Sequence, residues 1–457
     1  MKGSARSGLS VSGFEGRAGR SEALLGQGPV GLQSLDERQI KGSGEVSWKV
    51  SGVQVPPEVL ALDARSIKVH ADPMMLFTSS TDTKDRAQTP EQREGDSDDA
   101  PPPELSRQEH PKVVQHQLGN TPLRNIPADY SLSSPMNFFI LPDGEDKGKK
   151  LFYSDTTHGE GEAEKTLVFV HGNPESSYVY RNIIKGVLSR SKEPIRVVFM
   201  DHIGFGISDQ ATYEMTAMDH AHNLSLLVQA LDLRDVTLVI HDWGGPIGVG
   251  AFLQQPERLS NLLITNSTIF PIPEEGKTYK KNFPFRFFPW SKTPSVVPDK
   301  MLGHFAIFAV FGDMLNPFRT VANIIREKIA RTVFKEQFRS EMNVKSSKRL
   351  VLQSAVWGHG NSYVEPVTGR ERDTAPFYEW IQREVGAAWG PQGANIGVRA
   401  IIGGVDALGK ESVTDQWLGA FPQLNGHVHF FKRAGHFVVE EKTEVVVDEI
   451  LDVAGLL

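Results

Sequence analysis

The 457-residue chain contains no cysteine, which excludes disulfide bonds, thiolate metal sites and a thiol nucleophile. No apolar run approaches the roughly 20 residues of a membrane-spanning helix, and the N-terminus lacks the apolar stretch of a secretory signal. Excess positive charge is also absent, since 49 Lys and Arg face 56 Asp and Glu and the formal net charge is −7. Neither nucleic acid nor a membrane is therefore expected as a partner. We expect a cytoplasmic protein, although the Arg-, Ser- and Gly-rich N-terminus has some features of an organellar transit segment.

Composition divides the chain into three predicted parts. Residues 1–125 are rich in Gly, Ser, Pro and mixed charge, and 89–103 is typical of disordered sequence, so we expect a disordered leader. Residues 126–270 and 393–457 alternate short apolar runs with helix-like spacing, which predicts an α/β core with a mostly parallel sheet flanked by helices. Residues 271–392 interrupt this alternation with aromatics, prolines and helix-like stretches. We expect them to form a helical cap inserted into the core.

The core elements follow from the spacing of apolar residues. Predicted strands cover 138–141, 151–153, 167–170, 196–200, 236–240, 262–265, 398–402 and 428–431. Helical spacing is expected over 178–188, 224–231, 321–338 and 441–453. The first two strands are expected to pair through the turn region at Asp143-Gly144.

The most informative stretch runs from Val236 to Gly248. An apolar strand leads to Asp242, two glycines follow, and a small apolar helix begins. This strand–turn–helix layout is that of the nucleophile elbow of α/β-hydrolases, in which the apical residue is usually serine. The fold class expected is therefore the α/β-hydrolase fold.

An aspartate at the apex changes the chemistry of the site. A carboxylate is ionised at neutral pH and can attack carbon directly, giving an ester between enzyme and substrate. Hydrolysis of that ester needs a base that activates water. The alternative interpretation is that Asp242 only caps the following helix, since Asp is a favoured N-cap residue.

Two further polar residues follow predicted parallel strands. Asp406 comes after the strand 398–402, and His436 comes after the strand 428–431. Ligands in open α/β sheets bind at the carboxyl edge of the strands, and the chain order of nucleophile, acid and histidine is that of α/β-hydrolases. We predict that Asp242, Asp406 and His436 form a catalytic triad. Alone, Asp406 could be an ordinary turn residue and His436 an ordinary loop histidine.

Four motifs together give the chain a resemblance to haloalkane dehalogenases. They are His171-Gly172-Asn173-Pro174, the stretch 201–209, His241-Asp242-Trp243-Gly244-Gly245 and Ala434-Gly435-His436-Phe437. The resemblance covers about residues 137–457, strongly in the core and weakly in the cap. In some dehalogenases the acid follows the strand after the nucleophile helix, where this chain has Asn266, so the resemblance is to the subfamily with the acid at Asp406.

The resemblance implies hydrolysis of a carbon–halogen bond through an aspartyl-alkyl ester, with a small hydrophobic halogenated substrate and water as reactants. A halide leaving a water-poor pocket needs hydrogen-bond donors. Trp243 offers an indole N–H and Asn173 an amide, so we expect both to bind the halide and to supply backbone N–H groups for the oxyanion. No cofactor or metal is implied. Otherwise Trp243 would be a packing residue and Asn173 a turn residue.

Other functions use a similar constellation. An epoxide hydrolase would share the Asp-His-Asp triad and add cap tyrosines, for which Tyr279, Tyr363 and Tyr378 are available, although Asn173 is unusual at its position for that family. Haloacetate dehalogenases should place arginines near the substrate, and the core motifs show none. Some relatives in the superfamily are ligand receptors or scaffolds, which have no need of an intact triad. The cap could add a third halide donor or contact, and the candidates are Trp290, Trp357 and Phe308.

Overall fold

The computed structural model describes residues 114–115, 118–273, 290–313, 315–357 and 361–457. Residues 1–113 of the predicted leader, and Tyr279 in the predicted cap, lie outside this part of the chain. None of the helices in the described residues has the length and apolar character that a membrane crossing requires.

Nine described strands form one sheet in the order β1-β2-β3-β5-β4-β6-β7-β10-β11. The strands are β1 (Val114–Gln115), β2 (Asn137–Ile140), β3 (Lys150–His158), β4 (Lys165–Val170), β5 (Ile195–Met200), β6 (Val236–His241), β7 (Leu259–Thr265), β10 (Gly397–Gly403) and β11 (Val428–Phe431). Strands β1 to β3 pair antiparallel, and β3 also pairs antiparallel with β5. From β5 to β11 every neighbouring pair is parallel. The mostly parallel sheet predicted from the sequence is confirmed.

All eight predicted strands are present, and most extend by one to three residues. The largest difference is β3, which continues through polar residues to His158. Asp155 on this strand receives two hydrogen bonds from Arg196 on β5, at 2.8 and 2.7 Å. The ion pair between Asp155 and Arg196 therefore stabilises the pairing of β3 with β5 where apolar side chains are lacking. Apolar periodicity cannot detect such an extension.

Helices cover both faces of the sheet and fill the stretch between β7 and β10. They are α1 (Arg181–Arg190), α2 (Ala217–Ala230), α3 (Gly244–Phe252), α4 (Thr293–Val296), α5 (Leu302–Phe311), α6 (Pro317–Arg326), α7 (Lys328–Glu336), α8 (Glu341–Leu352), α9 (Ala375–Trp389), α10 (Glu411–Ala420), α11 (Val438–Glu441) and α12 (Thr443–Ala454). Two buried apolar clusters lie within this arrangement, and each takes residues from the sheet and from its flanking helices.

Two predicted helices are each divided in the structure. The prediction over 321–338 is wrong as a single helix, because the backbone leaves the helical region at Glu327 (ψ 43°) between α6 and α7. The closing helix predicted over 441–453 begins at Thr443, and Lys442 (φ −129°) separates it from α11. Apolar spacing continues across both breaks, so the periodicity does not show them.

The stretch between β7 and β10 contains α4 to α9 and a small antiparallel hairpin, β8 (Ser362–Val364) and β9 (Glu371–Asp373). Within it, α9 packs on the core, since Phe377 lies against Gly250 of α3 and Trp389 Nε1 donates to Pro256 O at 3.0 Å. The division into leader, core and cap stays a prediction.

The turn after β6 brings α3 very close to the neighbouring strand. Asp242 at the apex has φ +52°, a left-handed conformation that is strained for a residue with a side chain. A Cβ on Gly244 would stand 2.2 Å from Val170 O, and one on Gly245 would stand 2.0 Å from Ser267 Oγ. Only glycine fits at these two positions, which explains the pair that follows the apex.

We expect Gly244→Ala to destabilise the protein by about 1–3 kcal/mol, because the added methyl group meets backbone rather than a movable side chain. Gly419→Ala is the matched control. It lies in α10 with no atom within 4 Å of the added carbon, and should stabilise the helix by about 0.4–1 kcal/mol. Denaturant unfolding measures both free energies of unfolding. An unchanged stability of Gly244→Ala would contradict the close approach.

Candidate active site

Asp242 occupies the apex between β6 and α3, and its side chain is almost fully buried. Its Oδ1 accepts a hydrogen bond from the backbone N–H of Asn173 at 2.8 Å. Its Oδ2 lies 3.1 Å from Nε2 of His436. Both oxygens are therefore used by groups outside α3, and Trp243, which stands at the N-cap position, makes no side-chain cap. The geometry does not support the alternative that Asp242 is only a helix cap.

His436 lies between two carboxylates. Its Nδ1 is 2.7 Å from Oδ2 of Asp406, while its Nε2 faces Asp242. Asp406 Oδ1 accepts the backbone N–H of Ala407 at 2.7 Å, and Asp406 Oδ2 also accepts from Asn266 Nδ2 at 2.9 Å. The structure brings the three predicted residues together, with His436 hydrogen-bonded to Asp406 and close to Asp242. The two sequence positions considered for the acid, 266 and 406, are direct neighbours in space.

The charges of neighbouring side chains shift the pKa values of both His436 and Asp406. Burial alone would lower the pKa of His436, but the nearby charges of Asp406 and Asp242 reverse the effect and hold the pKa well above its usual value. Burial would raise the pKa of Asp406, but His436 and the amide of Asn266 lower it. The charges of Asp406 and Asp242 therefore favour the protonated form of His436.

The backbone and the side chain of Asn173 form hydrogen bonds with different residues. The backbone N–H binds Asp242, as expected for an oxyanion donor. The side chain is tied to α8, because Nδ2 donates to Ser347 O at 3.2 Å and Oδ1 accepts from Ser347 Oγ at 2.5 Å. One amide hydrogen is thus engaged. The contact with Ser347 spans 174 positions of sequence, and no motif indicated it.

Trp243 provides a donor without an acceptor. Its Nε1 is buried and has no hydrogen-bond partner among the described residues. A cavity of about 10 Å³ adjoins it, which is near the roughly 10–15 Å³ that one water-sized group needs. The cavity is lined by Asp242, Trp243, Pro246, Thr268, Ile272, Ser354, Val356 and Leu408. A buried N–H without an acceptor is rare in native proteins, and Trp243 lines this small, mostly apolar cavity together with Asp242.

Two fully buried residues, Glu175 and His241, contact the site although the sequence did not indicate a role for them there. Glu175 Oε1 accepts from the backbone of Gly172 and from Nδ1 of His241, both at 2.7 Å. His241 Nε2 lies 3.2 Å from the carbonyl oxygen of His436. This pair connects the loop after β4, the elbow and the histidine loop, so it is placed to position His436. A carboxylate two residues after Asn173 and a histidine just before Asp242 were the available signals.

The remaining cap candidates differ in their contacts and in their exposure to solvent. Trp357 packs on Trp243 with ring centroids 6.2 Å apart, but its Nε1 donates to Val351 O at 2.9 Å. Phe308 is 44% exposed. The Tyr363 hydroxyl donates to Glu214 O, whereas the Tyr378 hydroxyl lies 2.8 Å from Oγ of Ser354, which lines the cavity. Of the residues weighed as cap candidates, Trp290 has no described side chain and Tyr279 lies outside the described residues.

Residues 165–443 match the family described as the alpha/beta hydrolase fold, and the chain belongs to this family. Its membership indicates a hydrolase of this superfamily. The chain is 26% identical over 313 residues to a cis-3-alkyl-4-alkyloxetan-2-one decarboxylase of Shewanella oneidensis, covering 66% of this chain and 84% of that protein. It is 36% identical over 133 residues to a haloalkane dehalogenase of Mycolicibacterium smegmatis, covering 28% of this chain and 40% of that protein.

Among solved structures, the tetrameric haloalkane dehalogenase DpaA of Paraglaciecola agarilytica is similar, with a TM-score of 0.51 and 21% identity. The match covers 75% of this chain and 98% of DpaA. At this identity the likeness concerns the fold. The resemblance to haloalkane dehalogenases seen in the motifs has a counterpart in the relatives of that name.

The charged His436 should make the effect of Asp406→Asn depend on pH. Because the folded-state pKa of His436 lies above its unfolded value of about 6.5, the stability from its pairing with Asp406 is fully present below that pH and is lost as pH rises through the folded-state pKa. Asp406→Asn should therefore cost more free energy of unfolding near pH 6 than near pH 10. Urea unfolding of both proteins at the two pH values checks this, and an equal cost would contradict an imidazolium in the folded protein.

Proposed function

We propose that the protein is a hydrolytic dehalogenase that converts haloalkanes to alcohol and halide through a covalent ester on Asp242. The observation that carries the proposal is the unpartnered, buried indole N–H of Trp243, a residue that lines the same small cavity as Asp242. A halide released from saturated carbon is a weakly basic anion that fits such a neutral donor.

In the first step, an Asp242 oxygen forms a bond to the carbon that carries the halogen. The carbon–halogen bond breaks, and the halide leaves with the bonding electrons toward Trp243 Nε1. The second Asp242 oxygen keeps its hydrogen bond from the Asn173 backbone. The carboxylate is ionised before the reaction, so this step needs no base.

In the second step, His436 Nε2 takes a proton from water, and the resulting hydroxide adds to the ester carbonyl carbon of Asp242. The backbone N–H of Asn173 stabilises the oxyanion. The intermediate collapses, and the alkoxide takes the proton held by His436 and leaves as the alcohol. Asp242, now a carboxylic acid, gives its remaining proton to His436, which restores the carboxylate. Asp406 keeps the imidazole oriented and stabilises its charged form.

Alkylation also prepares the base for the second step. The ester carries no charge, so one of the two carboxylates that hold the His436 pKa high disappears when it forms. The pKa of His436 therefore falls in the intermediate. Neutral histidine becomes available at the stage that needs it.

Two other functions have specific support. The oxetanone decarboxylase of Shewanella oneidensis covers more of this chain than the matched dehalogenases do. A four-membered cyclic ester also carries an anionic leaving group on saturated carbon, so Asp242 and Trp243 could serve its opening. Epoxide hydrolysis is supported by the position of the Tyr378 hydroxyl, which lies 2.8 Å from Oγ of Ser354 at the cavity.

His436→Phe should stop the reaction after the first step, because no base remains to activate water. With 1-bromobutane, the variant should release one bromide per protein and gain one butyl group on the peptide that contains Asp242. Intact-mass and peptide mass spectrometry measure the adduct. His429→Phe is the control, since this histidine pairs with Glu449 away from the site and should leave turnover intact.

The same assay decides between the candidate functions when wild-type protein is given 1-bromobutane, styrene oxide or a cis-3,4-dialkyloxetan-2-one. Bromide release that Asp242→Asn abolishes supports the dehalogenase. Diol from the epoxide, or carbon dioxide from the oxetanone, without any bromide release would replace it with the corresponding alternative.

Trp243→Phe tests the halide donor separately, because it removes the N–H and keeps an aromatic ring. We expect kcat for 1-bromobutane to fall by about 10²–10³, the usual loss for one preorganised donor. Trp389→Phe is the matched control, since its buried indole donates to Pro256 O and not to the cavity. Stopped-flow measurement of bromide release should show little change for the control. Equal rates for wild type and Trp243→Phe would remove the donor from the mechanism.

A further inference from the structure

Helix α6 carries an apolar stripe on its outer surface. Phe318, Val321 and Ile325 lie at spacings of three and four residues, which places them on one face of the helix. They are 85%, 58% and 67% exposed. Ile329, in the first turn of α7, is 61% exposed. Single exposed apolar residues are common on proteins, but a row of this kind marks an interaction surface.

The opposite side of α6 shows that the stripe is not a consequence of loose packing. Thr320 is buried, and its hydroxyl donates to Asp313 O at 3.2 Å. Asn323 Nδ2 donates to Phe311 O at 3.2 Å, which attaches α6 to the end of α5. The helix is therefore held by Thr320, Asn323 and the partly buried Ile324, while Phe318, Val321 and Ile325 face outward.

Cations border the stripe. Residues 315–335 contain Arg319, Arg326, Lys328, Arg331 and Lys335 against a single acid, Glu327. The side chains of Arg319 and Arg326 are 64% and 70% exposed, whereas that of Glu327 is only 21% exposed. Glu327 pairs with Arg181 at 2.7 Å and with Arg326 at 3.0 Å, and Arg319 pairs with Asp313 at 3.2 Å. The five cations exceed these two acids, so the surface beside the stripe is positive, opposite to the net charge of the chain.

The positive charge beside the apolar stripe indicates whether a second copy of the chain or a lipid surface binds there. In a symmetric dimer the same patch would meet itself, so Arg319, Arg326 and Lys328 would face the same cations of the second copy. An anionic lipid surface accepts both parts at once, because the headgroups attract the cations and the acyl boundary takes the apolar side chains. An exposed helix with an apolar face and a basic border is the usual form of such a contact.

We propose that the stripe of Phe318, Val321, Ile325 and Ile329, with its basic border, docks the protein on the surface of anionic lipid bilayers. The helix lies in the plane of the interface and does not cross it. This conclusion revises the expectation from the bulk charge that no membrane is a partner, because the local charge of this face has the opposite sign. It does not depend on the reaction proposed for Asp242.

Sedimentation of the full-length protein with vesicles tests the proposal. The vesicles are phosphatidylcholine alone, or an equimolar mixture of phosphatidylcholine and phosphatidylglycerol. Wild-type protein should bind the anionic vesicles and bind them less at high salt, since screening weakens the contact with the headgroups. The double variant Phe318→Ser with Ile325→Ser should bind at least tenfold more weakly, and Arg326→Gln with Lys328→Gln should lose the preference for anionic lipid.

The matched control is Val364→Ser with Val367→Ser, which removes two apolar side chains that are 63% and 55% exposed on or next to β8. It should bind vesicles like wild type. Thermal unfolding shows whether each variant is folded, and a stripe variant that fails to fold leaves the decision to the charge variant. The proposal is overturned if wild type ignores anionic vesicles, if the control loses binding equally, or if the stripe variants change the oligomeric state in light scattering while vesicle binding is unaffected.

Discussion

A buried carboxylate is the constraint on which the site depends. Asp242 has almost no contact with solvent, and an ion in such a place is stable only when partners replace the lost hydration. The replacements come from two separate stretches of chain: the N–H of Asn173 after β4 and the ring of His436 after β11. The sheet order places β4 beside β6 and β11 near the far edge, so the histidine loop must reach back across the carboxyl ends of β7 and β10. Asp406 and Asn266, which follow those two strands, hold it there.

The electrostatics of the site change with each stage of the proposed reaction. At rest, the charges of Asp406 and Asp242 favour a protonated His436 between them. In the proposed reaction, ester formation would remove the charge of Asp242 and deliver a halide to the cavity that Trp243 lines. The neutral indole would bind that halide without holding it too firmly. A cation at position 243 would bind the product more firmly and slow its escape.

The sequence allowed the fold and the three residues at the strand ends to be predicted, for a common physical reason. Buried parallel strands are short apolar runs, and each predicted site residue of the triad follows such a run, so its place at the carboxyl edge could be deduced without coordinates. The backbone contact of Asn173 could be anticipated in the same way from its position after β4.

What could not be predicted depends on contacts between distant parts of the chain. The hydrogen bond from Ser347 to the side-chain amide of Asn173 connects α8 with the loop after β4. The acceptor role of Glu175 becomes visible only when β4 and β6 are neighbours. The breaks at Glu327 and Lys442 interrupt helices whose apolar spacing continues unchanged, so periodicity cannot locate them. The exposed stripe on α6 has the same spacing as a buried one, and only the packing of α6 shows which way it faces.

The size of the cavity beside Trp243 has a kinetic consequence. Its walls are shared between Leu408 of the core and Val356 of the stretch between β7 and β10, and the space between them admits little more than a single small group. If Asp242 reacts with a haloalkane as proposed, these walls must separate for the alkyl chain to enter and again for the alcohol to leave. The rate of that opening would then set an upper limit on turnover, however fast the bond-breaking steps become.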